Sequence, residues 1–232
     1  MEQGKITIIG TSHIAKDSIA KVKEKLLENK PDIVAVELDH ARLHALLENQ
    51  KPRFSPAMLK LMGVTGFVFF AIGGLLQRKL GKMIGAIPGE EMKTAIEIAR
   101  QNGIKIALID QPMNITMKKL SKISFGEKTR LARDLLLGMA GIGKAPAELK
   151  ELDLAKTPSE KFIELAMEAT RERYPELYKI LVADRNEHMA HALLHIMKNE
   201  PESKIVAVVG AGHEKEITRI LKQKFSADEA RQ

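Results

Sequence analysis

With 232 residues, 44% of them hydrophobic and 29% charged, the chain has the composition of a soluble globular protein able to bury the core of one large domain. The absence of cysteine excludes disulfide scaffolds and thiolate metal sites, and an aromatic content of 4% with no Trp argues against stacking on single-stranded nucleic acid. A net charge of +7 would suit nucleic acid, anionic lipid or an acidic substrate, but an ordinary lysine-rich surface accounts for it, and no nucleic-acid partner is expected.

The first run, Lys5-Ile6-Thr7-Ile8-Ile9, leads into Gly10-Thr11-Ser12-His13, and its charge-free middle predicts a strand covered on both faces. It is preceded by no charged-then-apolar leader, so a cytoplasmic chain is expected. Abundant Lys and Glu with few Asn and Gln lean towards a thermophile. Ile19, Val22, Leu26 and Leu27 predict one face of a helix over about 16–29, stopped by Asn29-Lys30-Pro31-Asp32. Ile33-Val34-Ala35-Val36 follows as a second strand, and strand–helix–strand order implies parallel strands with a right-handed crossover. Glu37 closes that strand, facing either solvent or a site. The next helix carries Arg42, Leu43, Leu46 and Leu47; its His40 and His44, one turn apart, have metal-binding spacing but read as an exposed pair.

A linker at 51–56 enters a charge-free stretch, 61–76, that is apolar all round. It falls short of the roughly 20 apolar residues of a bilayer crossing, so the domain, a second subunit or a membrane surface must cover it. A buried or dimer-forming helical hairpin over about 54–87 is expected, with a homodimer as the assembly and membrane contact as the alternative. Pro88-Gly89-Glu90 opens a helix with Met92, Ala95, Ile96 and Ala99 inward, which ends near Asn102-Gly103. The third strand, 104–109, ends on Asp110, and 112–156 reads as basic, helical and excursive.

Thr157-Pro158-Ser159-Glu160 is a capping box for a helix that stops before Pro175. A single helix is predicted from Pro175 to Met197, with Tyr178, Leu181, Val182, Met189, Ala192, Leu193 and Ile196 on one apolar face. Arg185 falls in the middle of that face, where a guanidinium needs a carboxylate, carbonyls or a bound anion. Glu37 and Asp110 are its candidate neighbours, in a structural ion pair or in an active site. His188, His191 and His195 form a stripe beside the face, a rival zinc site that lacks the His-Glu-x-x-His pattern. The last strand, 205–209, runs into Gly210-Ala211-Gly212-His213; a closing helix over about 214–225 and a disordered tail at 226–232 follow. The fold expected is α/β: a central, mostly parallel sheet flanked by helices in one domain, 1–225, with the hairpin and a helical excursion at about 112–175 inserted between strands.

The first and last strands share the ending Gly-x-x-His, and ligands of open parallel sheets bind beyond the carboxyl ends of the strands. His13, His213, Glu37 and Asp110 would converge there. Two imidazoles and a glutamate form a divalent-metal set with room for water. Such an ion lowers the pKa of its water and polarises a carbonyl oxygen, while Arg185 could hold an oxyanion or a substrate carboxylate. Gly10-Thr11-Ser12-His13 also reads as a phosphate turn, but it lacks the Gly-x-Gly-x-x-Gly and Gly-Lys-Ser/Thr patterns. A triad through Ser12 lacks a nucleophile elbow.

Taken together, Gly10-Thr11-Ser12-His13, Val36-Glu37-Leu38-Asp39 with Arg42, Gln77-Arg78-Lys79-Leu80-Gly81, Pro88-Gly89-Glu90-Glu91-Met92, Leu108-Ile109-Asp110, Asp184-Arg185-Asn186 and Val209-Gly210-Ala211-Gly212-His213 resemble the TraB/PrgY family, relatives of the Tiki metalloproteases. The resemblance covers most of the chain. It implies an α/β domain in which His13, His213 and Glu37 bind manganese, cobalt or zinc. In the Tiki branch it implies cleavage of peptides near their amino terminus, and in the PrgY branch restraint of a peptide pheromone. Members most like this chain often carry a membrane-embedded C-terminal part. The sequence departs from the pattern at Gln111-Pro112, where Arg-Asp is expected, and at Asp184, where glutamate is common.

The resulting expectation is a metal-dependent hydrolase acting on peptides. His13, His213 and Glu37 are the ligands, with Glu37 also a general base. Arg185 is the oxyanion partner, Asp110 its support, and Arg42, Gln77 and Arg78 face substrate. The alternative is a non-catalytic peptide-binding or membrane-associated regulator that sequesters its ligand in the same cleft.

Overall fold

The structure, a computed structural model, describes residues 5–11, 16–48, 89–139 and 160–229. Its centre is a four-stranded sheet of β1 (Ile6–Thr11), β2 (Ile33–Val36), β3 (Lys105–Leu108) and β4 (Ile205–Gly210). The spatial order is β1-β4-β2-β3, and every pairing is parallel. Helix α1 (Lys16–Asn29) links β1 to β2; α2 (His40–Leu47) and α3 (Glu90–Gln101) lie between β2 and β3. Between β3 and β4 come α4 (Met113–Ser121), α5 (Phe125–Met139), α6 (Glu160–Arg173), α7 (Pro175–Tyr178), a π-helical turn at Lys179–Ala183, and α8 (Asp184–Asn199). Helix α9 (Ala211–Glu229) follows β4. The α/β class and the helical insertion therefore hold, and the sheet is entirely parallel.

The period-two alternation of the strands splits the core into two layers. Val34, Val36, Val206 and Val208 face α1 and α3, meeting Val22, Leu26, Met92, Ala95, Ile96 and Ala99. Their neighbours Ile33, Ala35, Ile205, Ala207 and Val209 face α8 and α9, meeting Met189, Leu193, Met197, Ile217, Leu221 and Phe225. Strands buried on both faces are continuous apolar runs, as β2 and β4 are. At the sheet edge, β1 keeps that burial only at Ile9–Thr11, and Ile6 to Ile8 remain partly exposed. A smaller cluster of Met117, Leu120, Leu177 and Ile180 joins α4 to α7 and the π-turn.

Four readings are corrected. Leu27 is 64% exposed; only Val22 and Leu26, one helical turn apart, reach the core. The helix predicted as continuous from Pro175 is interrupted by the π-turn, which shifts its phase, so the buried face of α8 is Asn186, Met189, Ala190, Leu193 and Met197. Ala192 and Ile196 are only partly covered. The closing helix begins directly at Ala211 and runs to Glu229, past the predicted start of the tail at Ser226. Finally, the His188, His191 and His195 stripe lies exposed, with His191 beside Glu187 and His195 bonded to Asn199.

The apolar hairpin at about 54–87, the stretch 140–159 that includes most of the capping box, and residues 230–232 lie outside the described residues. Among the described residues, no helix is long and apolar enough to cross a membrane.

Candidate functional site

At their carboxyl ends the neighbouring strands β2 and β4 send the chain to opposite faces of the sheet, β2 towards α3 and β4 into α9. In parallel sheets the crevice at such a divergence is the usual ligand position. Glu37 follows β2 directly, Asp110 follows β3 by two residues, and His213 sits in the first turn of α9. From the other side α8 brings Arg185 and Asn186. Glu37, Asp110, Arg185, Arg42 and His213 are thus brought together; His13, Gln77 and Arg78 lie outside the described residues.

Glu37 is buried, and both of its carboxylate oxygens are engaged. Oε2 accepts the Gly210 backbone N–H at 2.6 Å, which ties the ends of β2 and β4 together, and Oε1 accepts from Arg185 Nη2. His213 Nε2 stands 3.4 Å from the same Oε1. On the far side of the ring, His213 Nδ1–H donates to Asn186 Oδ1 at 2.6 Å.

Arg185 also grips Asp110 with two bonds, Nε to Oδ1 at 3.0 Å and Nη2 to Oδ2 at 2.6 Å, and Nη1 donates to the Leu181 carbonyl at 3.2 Å. Arg42 Nη2 makes a second charged bond to Asp110 Oδ2. Burial alone would raise the Asp110 carboxyl, but the hydrogen bonds and charges of Arg185 and then Arg42 hold it below its ordinary value. Burial likewise works against the Arg185 cation, yet its bonds to Asp110 and the charge of Glu37 raise its pKa above the ordinary value, so it stays charged.

Asp39, the last residue of the Val36-Glu37-Leu38-Asp39 motif, braces the site. As N-cap of α2 it accepts Arg42 N–H on Oδ1 at 2.8 Å, and its Oδ2 accepts Met113 N–H at 2.8 Å, where α4 begins. It thereby positions Arg42 relative to the segment carrying Asp110. Gln111, where the sequence departs from the expected Arg-Asp, is buried and donates through Nε2 to Thr116 Oγ1 at 2.9 Å. Lys119 bonds Asp184 and reaches Gln111 Oε1 at 3.4 Å. Both departures thus belong to one polar network beside Arg185.

The donor set can be tested against a divalent ion. Two ligands about 2.0–2.1 Å from one ion stand about 2.8–3.4 Å apart at octahedral to tetrahedral angles. The separation of 3.4 Å between Glu37 Oε1 and His213 Nε2 fits that range. A metal-ligating histidine usually donates its other ring N–H to an oxygen, as His213 does to Asn186. Charge fits too, since Glu37, Asp39 and Asp110 exceed Arg42 and Arg185 by one negative charge. Among the described residues no group of three His, Asp or Glu side chains completes a metal site, and the third expected ligand, His13, lies outside them.

A helix-covered parallel sheet with a His–Glu–Arg–Asp cluster beyond its carboxyl edge defines an α/β domain. The chain belongs to the TraB/PrgY/gumN family, whose model matches residues 2–224. It is 37% identical over 220 residues to an uncharacterised protein of Methanocaldococcus jannaschii, covering 94% of this chain and 53% of that protein. It is 28% identical over 235 residues to the human TraB domain-containing protein, covering 90% of this chain and 60% of the relative. The chain therefore spans between half and two thirds of the length of these relatives.

Proposed function

We propose that the chain is a metal-dependent hydrolase acting on peptides, with Glu37, His213 and His13 holding a divalent ion of the manganese, cobalt or zinc class. The observation that carries this reading is the 3.4 Å approach of Glu37 Oε1 to His213 Nε2 at the crevice. When bound, such an ion acidifies a water molecule and polarises the scissile carbonyl. The chain's own residues do the positioning. Gly210 N–H and Arg185 fix the Glu37 carboxylate, and Asn186 fixes the His213 ring. Arg185, kept charged by Asp110, supplies positive charge for a developing oxyanion or a peptide carboxylate. Arg42, whose side chain is 28% exposed, is the more accessible guanidinium and faces substrate, together with Gln77 and Arg78.

One observation favours a second reading. Arg185 and Gly210 already occupy both oxygens of Glu37, as in a closed polar cluster. A non-catalytic regulator that captures peptides in the crevice, free or membrane-associated, would need nothing more. Metal analysis of the purified chain, calorimetric titration with manganese, cobalt and zinc, and cleavage of a mixed peptide library separate the two readings. The hydrolase reading expects one ion per chain, ion-dependent cleavage, and loss of both in His213→Ala and Glu37→Gln. Peptide binding by a wild-type chain that takes up no ion would replace it with the regulator.

A further inference from the structure

Asn186 is a deeply buried polar side chain of the cluster, at 1% exposure, and it has one unsatisfied group. Its Oδ1 accepts from His213 Nδ1 at 2.6 Å, while its Nδ2 is buried with no hydrogen-bond partner. A buried donor left unpaired is destabilising, so a residue needed only to fill this space would be better apolar. What the amide supplies is an acceptor at Nδ1. A neutral imidazole carries one proton, so an acceptor at Nδ1 draws it there and leaves the lone pair on Nε2. Nε2 lies 3.4 Å from Glu37 Oε1.

We infer that Asn186 is a positioning residue that selects the Nδ1–H tautomer of His213 and sets the angle of its ring, so that Nε2 presents its lone pair on the Glu37 side of the crevice. The inference deepens the metal reading above and rests on it for its purpose, but not for its geometry. The π-turn at Lys179–Ala183 takes part in this arrangement. The phase shift it introduces places Asn186 on the buried face of α8, with Arg185 beside it, so that adjacent residues reach His213 and Glu37.

The test compares wild type with Asn186→Leu, which has similar volume but no acceptor, and Asn186→Asp, which keeps an acceptor and cannot donate. Long-range proton–nitrogen correlation of the His213 ring in metal-free protein reads the tautomer, and zinc titration reads affinity. Wild type and Asn186→Asp should hold the proton on Nδ1, and Asn186→Leu should give a tautomer mixture. Zinc affinity should fall about 10–100-fold in Asn186→Leu, the usual cost of losing an outer-shell partner, and recover to within a few-fold in Asn186→Asp. A folded Asn186→Leu protein with an unchanged tautomer would overturn the inference. If Asn186→Leu does not fold, an Nε2-protonated ring in wild type or in Asn186→Asp would overturn it. If zinc does not bind wild type while the ring signals still respond to Asn186→Leu, the positioning role stands and the metal reading fails.

Discussion

Asp110 accepts charged bonds from two arginines, and its loss would leave both guanidinium groups without their main partner. Asp110→Asn should lower unfolding free energy by about 3–5 kcal/mol, the usual effect of removing one member of a buried ion pair, as read from urea denaturation. Because the folded-state pKa of Asp110 is depressed, its stabilisation is complete above the unfolded value of about 4 and disappears as pH falls through the lower folded value. The urea midpoint of wild type should therefore drop below about pH 4, and that slope should flatten in Asp110→Asn. Gly10 gives a second residue-scale prediction. A Cβ there would overlap the Glu214 carboxylate and lie 3.2 Å from its Cβ, while Gly10 itself is not among the positive-φ residues. Because the Glu214 carboxylate is the end of a flexible side chain that can swing aside, Gly10→Ala should cost about 1 kcal/mol or less, and Glu214→Ala should remove most of it in a double-mutant cycle. Arg185 was legible in the sequence because a guanidinium amid apolar residues demands partners. Asn186 was not, because a neutral amide at one helical position leaves no mark on hydrophobic periodicity. Asp39 was hidden in the same way: its local pattern shows a cap, while its bond to Met113 spans 74 positions.

Among the elements, α5 and α7 are joined by exchanged caps. Glu127, buried near the start of α5, accepts the backbone N–H of Glu176 at 3.1 Å and of Leu177 at 2.7 Å; Glu176 in return accepts Ser124 N–H at 2.9 Å. Glu127→Ala would strip the first turn of α7 of two acceptors and should destabilise the protein by about 1–3 kcal/mol, by loss of caps at a helix end. Amide exchange should show the increase in opening concentrated at Glu176 and Leu177. The π-turn was beyond sequence reasoning for a physical reason. Lys179-Ile180-Leu181-Val182-Ala183 contains no glycine or proline to mark a break in the helix. Helix periodicity extrapolated through it therefore misassigned the inward face of α8, although the helical character of the whole stretch was read correctly.

At the scale of the molecule, four apolar runs bounded by turns were enough to identify the strands and their parallel direction. The order β1-β4-β2-β3 was not legible, because strands buried on both faces carry no one-sided pattern to mark their neighbours. If the crevice holds an ion, binding to the folded state alone should add about 2.7 kcal/mol when the free ion is a hundredfold above its Kd. A melting temperature that rises with zinc or manganese in wild type and stays fixed in His213→Ala would be the corresponding observation.

The strand order carries a consequence for how the molecule comes into being. The slot between β1 and β2 is filled by β4, the last of the four described strands to be synthesised, and until it arrives neither flanking strand has a partner on that side. A nascent chain ending before Lys204 would expose two unpaired edges and have no Gly210 amide to hold Glu37. On the proposed metal reading, ion capture at Glu37 is thus withheld until synthesis has passed β4, and any binding signal would double as a report that the sheet has closed.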